Sequence, residues 1–185
     1  MGKIVKKGLG NLTRIARIYT DKAEISQTGN HFMKTAVFTG SFNPFTIGHA
    51  DIVRRALSFS DRIIIGVVGD NVHKALTPAA ERCAAIARLY DDEPRVEVRI
   101  YNGLAVDFAH EVHADAIIKG VRSVKDFEYE REQAEANRHI GDGLETILLP
   151  ADPSLTYISS SLVRELQHFG RDVSDLLPAS GEKNE

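Results

Sequence analysis

The chain has 185 residues, 43% of them hydrophobic and 26% charged, which suits one ordinary domain with a substantial core. A formal net charge of −3 argues against the broad basic field of a general nucleic-acid binder, so any phosphate must be met by local basic residues. The single cysteine, Cys83, cannot form an internal disulfide, no apolar run reaches the length of a membrane span, and the N-terminus lacks the apolar stretch of a secretory signal; a soluble cytoplasmic protein is expected.

Residues 1–34 carry seven basic residues (Lys3, Lys6, Lys7, Arg14, Arg17, Lys22, Lys34) against the acidic pair Asp21 and Glu24. Scattered apolar residues and the turn-rich SQTGNHF at 26–32 predict a flexible basic extension over 1–32, and Lys6 argues against a myristoylation signal. Short apolar runs then recur: TAVFT (35–39), RIIIGVV (62–68), VEVRI (96–100), AIIKG (116–120) and ETILL (145–149). Helical patterns stand between and after them, at about 48–58, 78–90, 104–113, 126–139 and 160–168. The first shows Ile52, Val53, Ala56 and Leu57 at helical spacing, with Asp51, Arg54 and Arg55 facing solvent. Cys83 falls among alanines and is read as a small core residue.

Alternation of strand and helix predicts an α/β fold, a doubly wound parallel sheet of five strands in one domain over 33–178, followed by a polar tail at 179–185. In such a sheet ligands bind beyond the carboxyl ends of the strands. The loop after the first strand, GSFNPFTIGH (40–49), is long and rich in glycine and hydroxyl residues. Gly40 frees the backbone to turn, Gly48 and His49 open a helix whose first N–H groups attract an anion, and Ser41 and Thr46 add donors. His49 can aim a ring N–H at a phosphoryl oxygen. The loop has neither the lysine of a P-loop nor the spacing of G-x-G-x-x-G.

Two further loops complement it. Lys119 and Arg122 bracket Gly120 after the fourth strand and supply positive charge, while Lys125 and Asp126 are read as a solvated turn, with Asp126 capping the next helix. In LTYISSS (155–161) one serine suffices as a cap, so three point to a second anion site. The group His110, Glu111, His113 and Asp115 lacks H-E-x-x-H spacing and is not read as a metal site.

The stretches TGSFNPFTIGH, GVRSVKDFEYE, ANRHI and YISSSLVREL resemble, in order and spacing, those of the bacterial phosphopantetheine adenylyltransferases, a family of the nucleotidylyltransferase superfamily. The resemblance covers about 33–178 and implies a Rossmann-like fold and adenylyl transfer from ATP to 4′-phosphopantetheine, giving dephospho-CoA and pyrophosphate. Carried over by position, His49 is the catalytic, charge-stabilising residue. Ser41, Phe42, His49, Gly120, Val121, Arg122 and Glu130, with Leu155, Thr156, Tyr157, Ile158, Ser159, Ser160 and Ser161, fall at ATP-binding positions. Ser41, Ala105 and Lys119 fall at phosphopantetheine-binding positions.

Three departures stand out. Asn43 occupies a frequent aspartate position, and Lys119 replaces the usual arginine. The family's lysine after the second strand aligns with His73, with Lys74 beside it, and either could contact the phosphopantetheine phosphate. The resemblance further implies magnesium held mainly by ATP phosphates and water, CoA as a further ligand of the site, and a homohexamer. The rival readings are a nucleotidylyltransferase for nicotinamide mononucleotide or glycerol phosphate, and a non-catalytic nucleotide-binding module. DFEYE and ANRHI favour the pantetheine branch over the first; His49, Arg122 and the three serines count against the second.

Overall fold

The structure, a computed structural model, describes residues 33–69 and 77–179. Five parallel strands form its sheet: β1 (Met33–Gly40), β2 (Ser60–Val68), β3 (Val96–Tyr101), β4 (Ala116–Val121) and β5 (Glu145–Pro150), in the spatial order β3-β2-β1-β4-β5. Helices α1 (Ile47–Ala56), α2 (Ala79–Leu89), α3 (Ala105–Glu111) and α4 (Val124–Ile140) connect successive strands, and α5 (Ser160–His168) follows β5. The strand order reverses between β1 and β4, where Ala36, Val37 and Phe38 pair with Ala116, Ile117 and Ile118. A crevice opens at such a reversal, and the loops after β1 and β4 meet there.

The alternation of side chains along β1 builds two cores. Ala36 and Phe38 face α1 and α2, packing with Ile52, Val53, Ile63, Ile65 and Ile86, whereas Val37 faces α3 with Ile64, Phe108 and Ile117. The side chains of Ile63, Ile64, Ile65, Ile117 and Ile118 are almost wholly buried, each contributing about 1.5–3 kcal/mol. Central strands covered on both faces are expected to be continuously apolar, as IIIGVV (63–68) is. Cys83 packs at the edge of the first core.

The boundaries depart from the sequence expectation at several points. Helix α1 begins at Ile47, with Thr46 as N-cap, and ends at Ala56. Helix α4 begins at Val124, and its cap is Ser123, not Asp126: the Ser123 hydroxyl accepts the Asp126 N–H at 3.1 Å. Asp126 is drawn backwards, accepting from the Arg122 guanidinium at 3.0 Å. Asp51 does not face open solvent; its side chain is only 11% exposed because Arg54 and Arg55 fold over it. Asp115 fastens the start of β1 by accepting the N–H groups of Lys34 and Thr35 at 2.8 and 2.9 Å.

Candidate functional site

The loop from Ser41 to Thr46 crosses the top of β1 with its backbone carbonyls gripped from several directions. Arg82 on α2 donates to the Ser41 carbonyl, Arg164 on α5 to the Asn43 carbonyl, and the Ser160 hydroxyl to the Pro44 carbonyl at 2.8 Å. The left-handed residue is Phe42 (φ 46°), not Gly40. Gly40 gives the Phe42 ring room, since a Cβ there would lie 3.0 Å from it, a tight contact.

Beneath this loop, His49 is fixed by its neighbours. Its ring lies against Phe42, Phe45 and Phe38, at centroid distances of 5.2, 5.3 and 6.2 Å. Nδ1 accepts the Thr46 backbone N–H at 2.9 Å. An acceptor at Nδ1 carries no proton, so the neutral ring holds its proton on Nε2 as a donor. Burial, with the Arg122 charge as second cause, lowers the His49 pKa to about 4. The ring is therefore a neutral N–H donor at ordinary pH. Thr46, expected as a direct phosphate donor, has its hydroxyl 3.0 Å from His49 Nδ1.

A cavity of about 410 Å³ opens beside His49. From the sequence candidates it brings together His49, Gly120, Arg122 and Glu130 on one side and Leu155, Ile158, Ser159, Ser160 and Ser161 on the other. Gly120 permits the close approach of β4 and α1; a Cβ there would lie 3.1 Å from Ile52. Ser159 caps α5 by accepting the Leu162 N–H at 3.0 Å, and Ser161 accepts from Arg164 at 3.1 Å. The Ser160 hydroxyl spends its proton on Pro44, whereas Ser159 and Ser161 accept and keep their O–H as donors beside the first-turn N–H groups of α5.

The remaining candidates are dispersed. Thr156 and Tyr157 are exposed and do not line the cavity, Val121 is buried, and the Phe42 ring packs under His49. Ser41 is half-buried at the end of β1, and Ala105 opens α3 at the carboxyl end of β3. Lys119 donates to the Thr39 carbonyl at 3.2 Å and faces Glu130 at 3.9 Å. Burial lowers its ammonium pKa, with Glu130 opposing the shift. His73 and Lys74 lie outside the described residues.

Sequence reasoning missed the roles of several residues. Lys125 and Asp126, read as a solvated turn, line the cavity together with Tyr129; the helix that carries them begins at Val124, two residues before the expected start. Arg82 had no signal beyond its charge and Arg164 only its place in YISSSLVREL, since the carbonyls they hold are 41 and 121 residues away.

Residues 37–166 match the Cytidylyltransferase-like family. The phosphopantetheine adenylyltransferase of Phocaeicola vulgatus is 47% identical over 146 residues, covering 79% of this chain and 96% of that protein. That of Porphyromonas gingivalis strain ATCC 33277 is 50% identical over 143 residues, covering 77% and 93%. Among solved structures, a bifunctional NMN adenylyltransferase/ADP ribose pyrophosphatase from Francisella tularensis, complexed with AMP and a manganese ion, superposes with a TM-score of 0.60 at 16% identity. It covers 78% of this chain and 44% of that one, a likeness of fold. Identity near one half across almost the whole length of the curated relatives carries more than the shared sheet does: the chain belongs to the phosphopantetheine adenylyltransferase family, within the Cytidylyltransferase-like nucleotidyltransferases.

Proposed function

We propose that this site transfers the adenylyl group of ATP to 4′-phosphopantetheine, giving dephospho-CoA and pyrophosphate in coenzyme A synthesis. The observation that carries the mechanism is the neutral His49 ring, with Nδ1 occupied by Thr46 and Nε2–H left as a donor at the cavity. An oxygen of the substrate phosphate attacks the α-phosphorus of ATP; the new P–O bond forms as the bond to the bridging oxygen breaks, and pyrophosphate leaves with that electron pair. No nucleophilic side chain is needed. His49 donates to the charge that spreads over the α-phosphoryl oxygens, and Arg122 with the α5 N-terminus holds the nucleotide's phosphates. Ser41, Lys119 and Ala105 are assigned to the acceptor side, with His73 or Lys74 completing the phosphate contact, and Phe42 to the ATP side.

Magnesium is proposed to enter with ATP. Of the carboxylates lining the cavity, Asp126 already faces Arg122 and Glu130 faces Lys119, and no cluster of three metal-binding side chains occurs among the described residues. An ion carried by phosphate oxygens and water fits this lining, and it would supply charge neutralisation to the phosphates.

A homohexamer in the cytoplasm completes the proposal. Helix α4 buries none of its own residues and leaves Val124 and Phe127 exposed one turn apart, as a face covered by another copy would be. No described helix is long and apolar enough to cross a membrane. Pyrophosphate release with ATP, Mg²⁺ and phosphopantetheine, repeated with nicotinamide mononucleotide, tests the activity: preference for the mononucleotide overturns it. Sedimentation of the full chain tests the assembly.

A further inference from the structure

Among the described residues, Arg82 is the only buried charged residue, at 5% exposure. Burying a guanidinium costs several kcal/mol unless its N–H groups are satisfied, and an aliphatic residue would fill the same volume without that cost. Its fork instead spans separate segments: Nε donates to the Thr77 carbonyl at 2.9 Å, Nη2 to the Val68 carbonyl at 3.0 Å, and Nη1 to the Ser41 carbonyl. The end of β2, the approach to α2 and the loop after β1 are thereby tied at one point.

The third bond has a consequence for the site. In a trans peptide the C=O and the following N–H point in opposite directions, and the only cis bond in the loop is Asn43–Pro44. With the Ser41 carbonyl turned to Arg82, the Phe42 N–H is turned away from it. No hydrogen bond among the described residues occupies that N–H. The Phe42 ring packs 5.2 Å from the ring of His49, which lines the cavity, and both residues belong to the one stretch that runs from β1 into α1.

We propose that Arg82 is a positioning residue for adenylyl transfer: by holding the Ser41 carbonyl it presents the Phe42 N–H as a phosphoryl-oxygen donor beside His49. This rests on the adenylyl-transfer reading above. Arg82 touches no substrate and acts through one peptide unit. Lysine keeps the charge but, as a single ammonium, cannot reproduce the planar fork across three carbonyls.

The test compares wild type, Arg82→Lys and Arg82→Ala in the full chain, with rates normalised to folded protein. Arg82→Lys lowers kcat about 10- to 100-fold, KM for ATP stays within about threefold, and millimolar methylguanidinium restores part of the Arg82→Ala rate. A merely structural role predicts a lower Tm, unchanged kcat per folded molecule and no rescue, which overturns the proposal. A second readout needs no turnover: adding ATP to ¹⁵N-labelled wild type shifts the Phe42 amide resonance, and adding it to Arg82→Lys does not. An unmoved Phe42 amide in wild type also overturns the proposal. Should wild type turn over no acceptor while its Phe42 amide shifts and that of the lysine variant does not, the reaction assignment fails and the positioning role stands. If Arg82→Ala does not fold, Arg82→Lys and the amide decide.

Discussion

The loops after β1 and β4 meet at the same crevice but are held by opposite means. In the first, carbonyls of Ser41, Asn43 and Pro44 are fixed by Arg82, Arg164 and Ser160, and His49 is locked by Thr46 and phenylalanine rings. In the second, Arg122 is 39% exposed and is held by Asp126 and by the Ile158 carbonyl at 3.3 Å. Buried, charge-assisted bonds resist reorganisation, whereas a surface ion pair exchanges with water and is worth about 0–1 kcal/mol. Under the proposed reaction the contrast assigns two tasks: the rigid loop aims a donor at the oxygens of the reacting phosphoryl group, and the exposed one collects the nucleotide's phosphates.

The strongest way to break this division is at His49. Replacing it with alanine is expected to lower kcat by roughly 10²–10³ while ATP affinity changes little, because the bond is made mainly as charge spreads in the transition state. Single-turnover rates together with equilibrium ATP binding check it; near-normal turnover removes the basis of the comparison.

Acid should act on the rigid side next. The His49 pKa is about 4 in the fold against 6.5 for the free side chain, so between these values the unfolded chain binds a proton that the native chain does not. This contribution to stability is present above about pH 6.5 and is lost as pH falls toward 4, on the order of 3 kcal/mol in all. Denaturant midpoints compared in wild type and His49→Gln across that range measure it. The imidazole resonance should titrate near 4, and a midpoint above 6 would contradict the neutral-donor assignment.

On the exposed side, Arg122→Ala is expected to raise KM for ATP roughly 10- to 100-fold, the worth of a charge-assisted contact, with a smaller change in kcat. A drop confined to kcat would place Arg122 with the rigid loop. Ser159→Ala removes the α5 cap and should cost about 1 kcal/mol of stability, readable as a lower Tm. Smallest of all, Asp126→Asn weakens only the exposed pair with Arg122 and should shift stability by less than about 1 kcal/mol.

Chain order and local chemistry were enough to determine the α/β alternation, the continuous apolar strands, the serine-opened helix and the candidacy of His49 and Arg122. Each is legible because periodicity, caps and charge act within a few residues of one another. Competition among neighbouring groups for the same partner, and in one case long sequence separation, hid the rest. Ser123 displaced Asp126 as the cap of α4 once Arg122 claimed the carboxylate, and Phe42, at an ATP-binding position, buried its ring beneath His49. The tautomer of His49 follows from where one backbone N–H points, and the orientation of the Ser41–Phe42 peptide follows from an arginine 41 residues on. Hydrogen-bond direction depends on distances of a few ångströms between segments that only the folded sheet brings together, so tertiary structure alone decided how the site is aimed.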